Sequence, residues 1–495
     1  MENFDYDLQS VQDARNLARK GKQAQEQLAS FNAEQIDSIL RNMVRVAQDN
    51  AIGLAKMAVE ETGFGKVEDK TTKNLIASTE LYEFIKDMKT VGIIEKNDEK
   101  KTIEIAEPVG LILGIVPSTN PTSTAIYKAI ISIKARNGIV FSPHPSALKC
   151  TLKAAELMNK AAVDAGAPDG IISCVSKPSM VATNELMKCN EVKLIIATGG
   201  SAMVKAAYSA GKPALGVGPG NVPAYIERTA DIKKAVGNII ASKTFDNGTI
   251  CASEQSVIVE EDMRDEIVEE FKRQGGYFMT AEETDKISKL LFVRGHLMNA
   301  KYVGRNPQVL AQAAGICIPE GTKVLMGYQN DVGENDPLSY EKLTTVLGFY
   351  CVKDWHEACE LSIKLLENGG IGHSFSIHTN DDDMVLKFAQ KPVFRILVNT
   401  GSAQGAVGAT TALAPSLTLG CGAWGGSATS DNVSPLHLIN IKRVAYGIKD
   451  IAPSEPVKSN PIGKIGNILS NAGSYNDDQL ETLVTELLSI LRKSE

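Results

Sequence analysis

Between Pro108 and Glu227, short and mostly apolar runs alternate with helical stretches, and this alternation limits the chain to few folds. The runs are LILGIV (111–116), GIVFS (138–142), GIISCV (170–175), KLIIAT (193–198) and VPAYIE (222–227), with segments such as SALKCTLKAAELMNKAA between them. A strand that is apolar along its length must be covered on both faces. The runs therefore predict parallel βαβ units with helices on both sides of the sheet. A second series runs from Gln255 to Thr400, with QSVIVE, TVLGFYCV, FSIHT and RILVNT as strand candidates. A chain of 495 residues is long enough for two such α/β cores, with a catalytic cleft expected between them.

The flanks read differently. Before residue 90 the pattern is helical: Asn32 and Gln35 form an expected capping pair, followed by Ile36, Ile39, Leu40, Met43 and Ala47 at helical spacing. VGIIEK, NDEK and KTIEIAE, within 90–107, predict a hairpin. PLHLINIKRVAYGI (435–448) is apolar and alternating with no partner nearby in sequence, so it is expected to add a strand to another subunit. Residues 450–475 have the Pro, Ser, Gly and Asn content of a linker. In 476–495, Leu480, Leu483, Val484, Leu487 and Leu491 make an apolar helical stripe. A stripe reports burial without naming the partner: a helix docked on its own domain and a tethered peptide that binds another protein both fit.

Some functions are disfavoured. The net charge of −7 without a basic block opposes nucleic-acid and anionic-membrane binding. No apolar run reaches the length of about 18 residues that would span a bilayer. The opening MENFDYDLQS lacks the charged and apolar regions of a secretory signal. The eight cysteines form no C-x-x-C pair and read as reduced thiols of a cytoplasmic protein. No metal site is expected, since His356 with Cys359 lacks a second pair of ligands.

One cysteine stands in a distinctive setting. In SKTFDNGTICASEQSVIV (242–259) a Gly-containing turn and small residues precede an apolar run, which places Cys251 on a loop at the edge of a core. This segment resembles the nucleophile loop of the aldehyde dehydrogenase superfamily. It is most similar to the CoA-acylating branch and to the aldehyde dehydrogenase half of bifunctional alcohol/aldehyde dehydrogenases. The resemblance runs from about residue 10 to 450. It is carried in order by EPVGLILGIVPSTNPTSTAIYKAI (107–130), FSPHPSA (141–147), LIIATGGSAMVKAAY (194–208), GVGPGNVPAYIE (216–227), NGGIGHS (368–374) and LAPSLTLGCGAWGG (413–426).

The resemblance implies an α/β fold with two doubly wound domains and a small β oligomerisation flap. Residues 1–89 and 108–240 would bind the dinucleotide, and 241–433 would form the catalytic domain. Residues 90–107 and 434–449 would form the flap, giving a homodimer or a dimer of dimers. It implies Cys251 as nucleophile and the Asn120 side chain, with the Cys251 backbone N–H, as oxyanion donors. Otherwise Asn120 is an ordinary turn residue before Pro121. Hydrolytic members carry a general-base Glu in an E-L-G-G motif, whereas the matching stretch here, ALGVGPGNVP (214–223), contains no acid. Water needs such a base near neutral pH and a thiolate does not, so coenzyme A is the expected acyl acceptor. His373 is either an aid to thiol deprotonation or a hydrogen-bonded core histidine.

For the dinucleotide, Thr198, Gly199, Gly200 and Ser201 in ATGGSAM, together with Gly216, are the expected phosphate-side contacts. Ser142, His144 and Pro145 occupy the position that flanks the adenine ribose. Many members have Lys in this region where this chain has His144, which leaves NADP open although the branch favours NAD. Glu341 resembles the acid that holds the nicotinamide ribose, or is an exposed acid. The expected reaction takes a short neutral aldehyde, such as acetaldehyde or propionaldehyde, with NAD and CoA to the acyl-CoA. A hydrolytic dehydrogenase, an acylating enzyme for succinate semialdehyde or sulfoacetaldehyde, and a non-catalytic binding protein are the competing readings. The sequence ends before any iron-dependent alcohol dehydrogenase half, so alcohol formation is expected to need another protein. The linker and terminal helix resemble the encapsulation peptides of enzymes packaged in bacterial microcompartments.

Overall fold

The computed structural model describes residues 5–293, 296–449, 466, 470 and 476–492. The expected linker, 450–475, lies outside these apart from Gly466 and Ser470, as do residues 493–495 of the expected terminal helix. The described residues of 1–96 and 103–443 form one compact unit, and those of 97–102 and 444–495 a second. No described helix is long and apolar enough to cross a membrane.

The first unit holds two parallel sheets, as continuous apolar runs require. Before them come strands β1 (Gly92–Asn97) and β2 (Thr102–Pro108), the expected hairpin. The first sheet is built from β3 (Leu111–Val116), β4 (Gly138–Pro143), β5 (Ile172–Cys174), β6 (Val192–Thr198) and β7 (Ala214–Val217), in the order β5-β4-β3-β6-β7. Every pairing in it is parallel. The order reverses between β3 and β6, and in such sheets ligands bind outside the carboxyl ends of the strands at that point. Helix Pro121–Lys134 covers the reversal and is buried at every position. Its Lys128 Nζ donates to the carbonyls of Ile115, at 2.6 Å, and Ile196, at 2.9 Å, which ties β3 to β6 from within the core.

The strand expected to close the first series does not lie there. β8 (Val222–Ile226) pairs in parallel with β9 (Glu254–Glu260) in a second sheet. Apolar content marks a strand as covered on both faces without saying in which sheet. Between Val217 and Val222 the chain leaves one sheet for the other. The second sheet also contains β10 (Gly276–Phe278), β13 (Val324–Tyr328), β14 (Val346–Val352), β15 (Phe375–His378) and β16 (Ile396–Val398), in the order β10-β13-β14-β9-β8-β15-β16. A short antiparallel pair, β11 (Phe292–Val293) with β12 (Leu297–Met298), stands apart. Helix Ile232–Thr244 packs Ala235, Val236, Ile239 and Ile240 into the core of the second sheet.

The alternating run near the end forms β17 (Ile439–Ala445), and it finds its partner in its own chain. It lies beside β2 in a three-stranded sheet of order β1-β2-β17. Lys442 Nζ meets Glu107 at 2.7 Å and Arg443 Nε meets Glu104 at 2.8 Å. Proximity in sequence could not reveal this pairing because β2 and β17 are separated by the whole of both parallel sheets.

In the second unit Tyr446 N donates to Lys101 O at 3.1 Å. Helix Asp477–Leu491 opens on a reciprocal cap, Gln479 N to Asn476 Oδ1 and Asn476 N to Gln479 Oε1, each 3.1 Å. Along the expected stripe, Leu480 and Val484 are exposed and Leu483 and Leu487 half-buried.

Candidate active site

The loop that presents Cys251 takes its shape from the turn before it. After helix Ile232–Thr244, three successive residues adopt left-handed backbone: Asp246 (φ 50), Asn247 (φ 52) and Gly248 (φ 76). Asp and Asn tolerate this region better than other side chains, at a cost on the order of 1–3 kcal/mol each, so surrounding contacts must hold them there. Asp246 Oδ1 accepts from Lys66 N at 2.8 Å, its Oδ2 accepts from Lys70 Nζ at 2.9 Å and from Lys73 Nζ, and its own N–H donates to Asp69 at 2.7 Å. Asn247 Nδ2 donates to Gly304 O at 3.0 Å. A Cβ at Gly248 would stand 2.7 Å from Thr344 O, so glycine is required by space as well as by φ.

Cys251 Sγ lies 3.1 Å from His373 Nε2. His373 is fully buried, on the loop that follows helix Trp355–Glu367, and its Nδ1 is 3.0 Å from Ser374 Oγ. Arg395 Nε donates to the same hydroxyl at 3.4 Å. Burial pushes the Cys251 thiol up to about 12, with the carboxylate of Glu341 adding to it and Arg395 opposing. Burial, then the Arg395 cation, pushes His373 down to about 3. The resting pair is therefore a neutral thiol against a neutral imidazole. Arg395 favours thiolate and disfavours imidazolium. The chain segment 218–220 lies against the same loop, where a Cβ at Gly220 would fall 1.9 Å from Cys251 O and 3.3 Å from His373 Cδ2.

Asn120 immediately precedes helix Pro121–Lys134, with Pro at the first position, as a turn residue would. Its side chain does not cap that helix. Instead Nδ2 donates to Thr249 O at 3.1 Å and Oδ1 accepts from Lys73 Nζ at 2.6 Å. Asn120 and Cys251 line one cavity of about 350 Å³, together with Phe64, Ile250, Val303, Leu343, Val407, Leu417, Leu419 and Glu341. Glu341 Oε1 accepts from Gly220 N at 3.0 Å, and burial raises its carboxyl to about 7, against the pull of that N–H and of Lys243 and Lys342. His373 is not part of the lining, although its Nε2 is in contact with Sγ.

An adjoining cavity of about 510 Å³ lies at the carboxyl ends of β3, β4 and β6, where the strand order reverses. Ser142, His144, Pro145, Thr198, Gly199 and Gly200 line it. His144, Thr198, Gly199 and Gly200 also line the first cavity, so the two are neighbours. A Cβ at Gly200 would meet nothing within 4 Å, and helix Ser201–Tyr208 starts at the next residue. A dinucleotide fits this place: open space before a helix N-terminus for the pyrophosphate, and an apolar slot for a base. His144 is held neutral, its imidazole lowered by burial, while Nδ1 accepts from Ser146 N at 3.1 Å.

Two expected contacts fall elsewhere. Ser201 is exposed and lines neither cavity. Gly216 faces helix Ser201–Tyr208: its N–H donates to Tyr208 Oη at 2.8 Å, and a Cβ there would meet Val204 at 2.7 Å. This glycine serves strand–helix packing. Sequence reasoning did not find Lys70, Lys73, Asp246, Ser374 and Arg395. VEDKTTKNL reads as a solvated charged helix, and only the Gly-containing turn at 246–248 left a signal. Among the described residues no group of three or more His, Cys, Asp or Glu side chains is arranged to hold a metal ion.

A sequence model of the aldehyde dehydrogenase family matches residues 4–284. The chain is 49% identical over 442 residues to the bifunctional aldehyde-alcohol dehydrogenase AdhE of Escherichia coli, a match covering 88% of this chain and 50% of that protein. The chain thus spans about half the length of the curated relatives it matches first. The structure is similar to that of an acetylating aldehyde dehydrogenase from Geobacillus thermoglucosidasius, with a TM-score of 0.90 and 54% identity, covering 91% of this chain and 100% of that one. It is also similar to a propionaldehyde dehydrogenase from the Clostridium phytofermentans fucose utilisation bacterial microcompartment, with a TM-score of 0.79 and 28% identity, covering 88% and 97%.

Proposed function

The chain belongs to the aldehyde dehydrogenase family, and from that premise we propose that it converts a short neutral aldehyde, CoA and NAD⁺ reversibly to acyl-CoA, NADH and a proton. The observation that carries this reading is the Cys251 thiol, 3.1 Å from His373 Nε2, at a cavity whose lining contains no lysine or arginine among the described residues. Carboxylated and sulfonated aldehydes would want a cation there. Apolar walls suit acetaldehyde or propionaldehyde.

Attack of Cys251 Sγ on the carbonyl carbon forms the C–S bond and moves an electron pair onto the carbonyl oxygen. The thiol proton leaves toward His373 Nε2, the base within hydrogen-bond reach of Sγ, in concert with C–S bond formation, since an imidazole held down at about 3 does not take it from the resting thiol. Asn120 Nδ2 and the Cys251 N–H serve as oxyanion donors. Bound NAD⁺ supplies the hydride acceptor. Ser142, His144, Pro145, Thr198, Gly199 and Gly200 would hold it, with Glu341 toward the nicotinamide ribose. Among the described residues the lining near His144 offers no cation to a 2′-phosphate, which favours NAD over NADP. The product on Cys251 is a thioester. The CoA thiolate attacks its carbonyl, and Cys251 Sγ leaves. A hydrolytic base has no obvious place in 214–223, where the chain carries no acid and Gly220 has no room for a side chain.

One observation favours a second reading. Among the described residues Glu341 is the one carboxylate lining this cavity, and at about 7 it is poised for base catalysis, which would release a free acid. NADH production across a panel of acetaldehyde, propionaldehyde, succinate semialdehyde and sulfoacetaldehyde, with and without CoA, separates the two. Absolute dependence on CoA supports acylation. Equal rates without CoA, with free acid as product, overturn it. Full activity in Cys251→Ala would sink both.

The three-stranded sheet β1-β2-β17 leaves Ile93, Ile441 and Val444 exposed, which supports assembly into a dimer or dimer of dimers through this flap. The exposed Leu480, Val484 and Leu488 of the terminal helix support its use as a tethered peptide for a microcompartment shell.

A further inference from the structure

Helix Val67–Leu75 buries two lysines as completely as core leucines, Lys70 at 2% exposure and Lys73 at 1%. A buried ammonium is costly unless its donors are used. Both share the Asp246 carboxylate, but their remaining bonds differ. Lys70 Nζ turns to Thr119 O at 2.8 Å. Lys73 Nζ reaches Thr249 Oγ1 at 3.1 Å and Asn120 Oδ1 at 2.6 Å.

The contact with Asn120 has a directional consequence. An ammonium has three donors and no acceptor, so the end of the amide that faces it must be the carbonyl. The NH₂ group is thereby turned to Thr249 O, at 3.1 Å, and to Thr119 Oγ1, at 3.3 Å, both in the wall of the cavity that Cys251 lines, and the longer bond to the hydroxyl is the one an oxyanion would replace. Thr249 O, which can only accept, calls for the same orientation, so the cation and the carbonyl hold the amide from its two ends. A positive charge on the carbonyl oxygen also withdraws electron density from the amide nitrogen and strengthens its N–H groups as donors.

We propose that Lys73 is a positioning residue for the reaction: held by Asp246, its ammonium fixes the Asn120 amide with NH₂ toward the cavity and polarises it toward the oxyanion that forms on the aldehyde oxygen. This rests on the reading of Asn120 as oxyanion donor. Lys73 makes no contact with the substrate and acts through Asn120 alone.

The test is a double-mutant cycle read by single-turnover acylation of Cys251, followed as NADH formation with aldehyde and NAD⁺ before CoA is added. Asn120→Ala is expected to slow this step about 10²- to 10³-fold, the usual loss for one oxyanion donor. Lys73→Met is expected to slow it roughly 10- to 100-fold, as part of the same donor's effect, and to add nothing in the Asn120→Ala background. Iodoacetamide labelling of Cys251, which forms no oxyanion, should keep its rate in Lys73→Met. Lys73→Gln, which can still donate to Asn120 Oδ1 without a charge, should fall between and provides a second variant if the Met form folds poorly. Lys70→Met removes a charge from the same cluster without touching Asn120, so whatever it does should persist in the Asn120→Ala background. Additive effects of Lys73 and Asn120, or an equal fall in iodoacetamide labelling, would show that Lys73 only shapes the loop, and would overturn the proposal while leaving the oxyanion role of Asn120 standing. Undiminished acylation in Asn120→Ala would remove that role and the proposal with it.

Discussion

At the scale of single residues, the chemistry is set by what burial does to two neutral groups in contact. Cys251 sits near 12 and His373 near 3 in the resting protein, so neither titrates near neutrality. The thiolate fraction then grows with pH over the whole working range. Alkylation of the free enzyme should rise about tenfold per pH unit between pH 8 and 9, and less steeply near pH 7, where ionisation of the Glu341 carboxyl at about 7 itself raises the thiol. A plateau below pH 9 would mean that the thiol is lowered in the free enzyme, against the balance of burial and Arg395. His373→Ala should slow acylation by about 10² to 10⁴, the usual contribution of a positioned base, with KM for the aldehyde little changed. These roles were only half legible in the sequence. Cys251 was visible from its loop and its family setting. Whether His373 was a core histidine or an aid to the thiol depended on a 3.1 Å contact between residues 122 positions apart.

At the scale of elements, the site depends on a loop squeezed from both sides. Gly220 has no space for a methyl group against Cys251 O, and Gly248 has none against Thr344 O. Gly220→Ala must therefore displace either β8's approach or the nucleophile. We expect a loss of about 1–3 kcal/mol in stability, typical of overpacking, measurable by denaturant unfolding. A fall in acylation rate larger than that in cofactor affinity should accompany it. An alanine variant with wild-type rate and stability would show that the segment 218–220 yields freely. The lysines of helix Val67–Leu75 show why such elements are hard to read. The helix's charged sequence fits solvent, and only the arrival of Asp246 from a distant loop makes burial of Lys70 and Lys73 affordable.

At the scale of the whole molecule, two parallel sheets carry a cavity of about 510 Å³ that adjoins the one lined by Cys251. Deleting residues 455–495 should leave turnover per site unchanged and abolish any association with microcompartment shells, checked by steady-state assay and co-purification. Lost activity would instead mean that the terminal helix supports the fold. The sequence by itself determined the class of architecture, because runs of apolar residues between helices have few stable solutions, and it marked Cys251, Asn120 and the 198–200 turn through dispersed motifs. Tertiary structure alone decided to which sheet β8 belongs and that β17 takes the β2 edge of the 92–108 hairpin rather than the β1 edge. It also decided that Gly216 packs while Gly200 stays open, and that Lys73 meets Asn120. Each of these depends on which distant surfaces come together, and periodicity along a chain describes only how much of each surface must be covered.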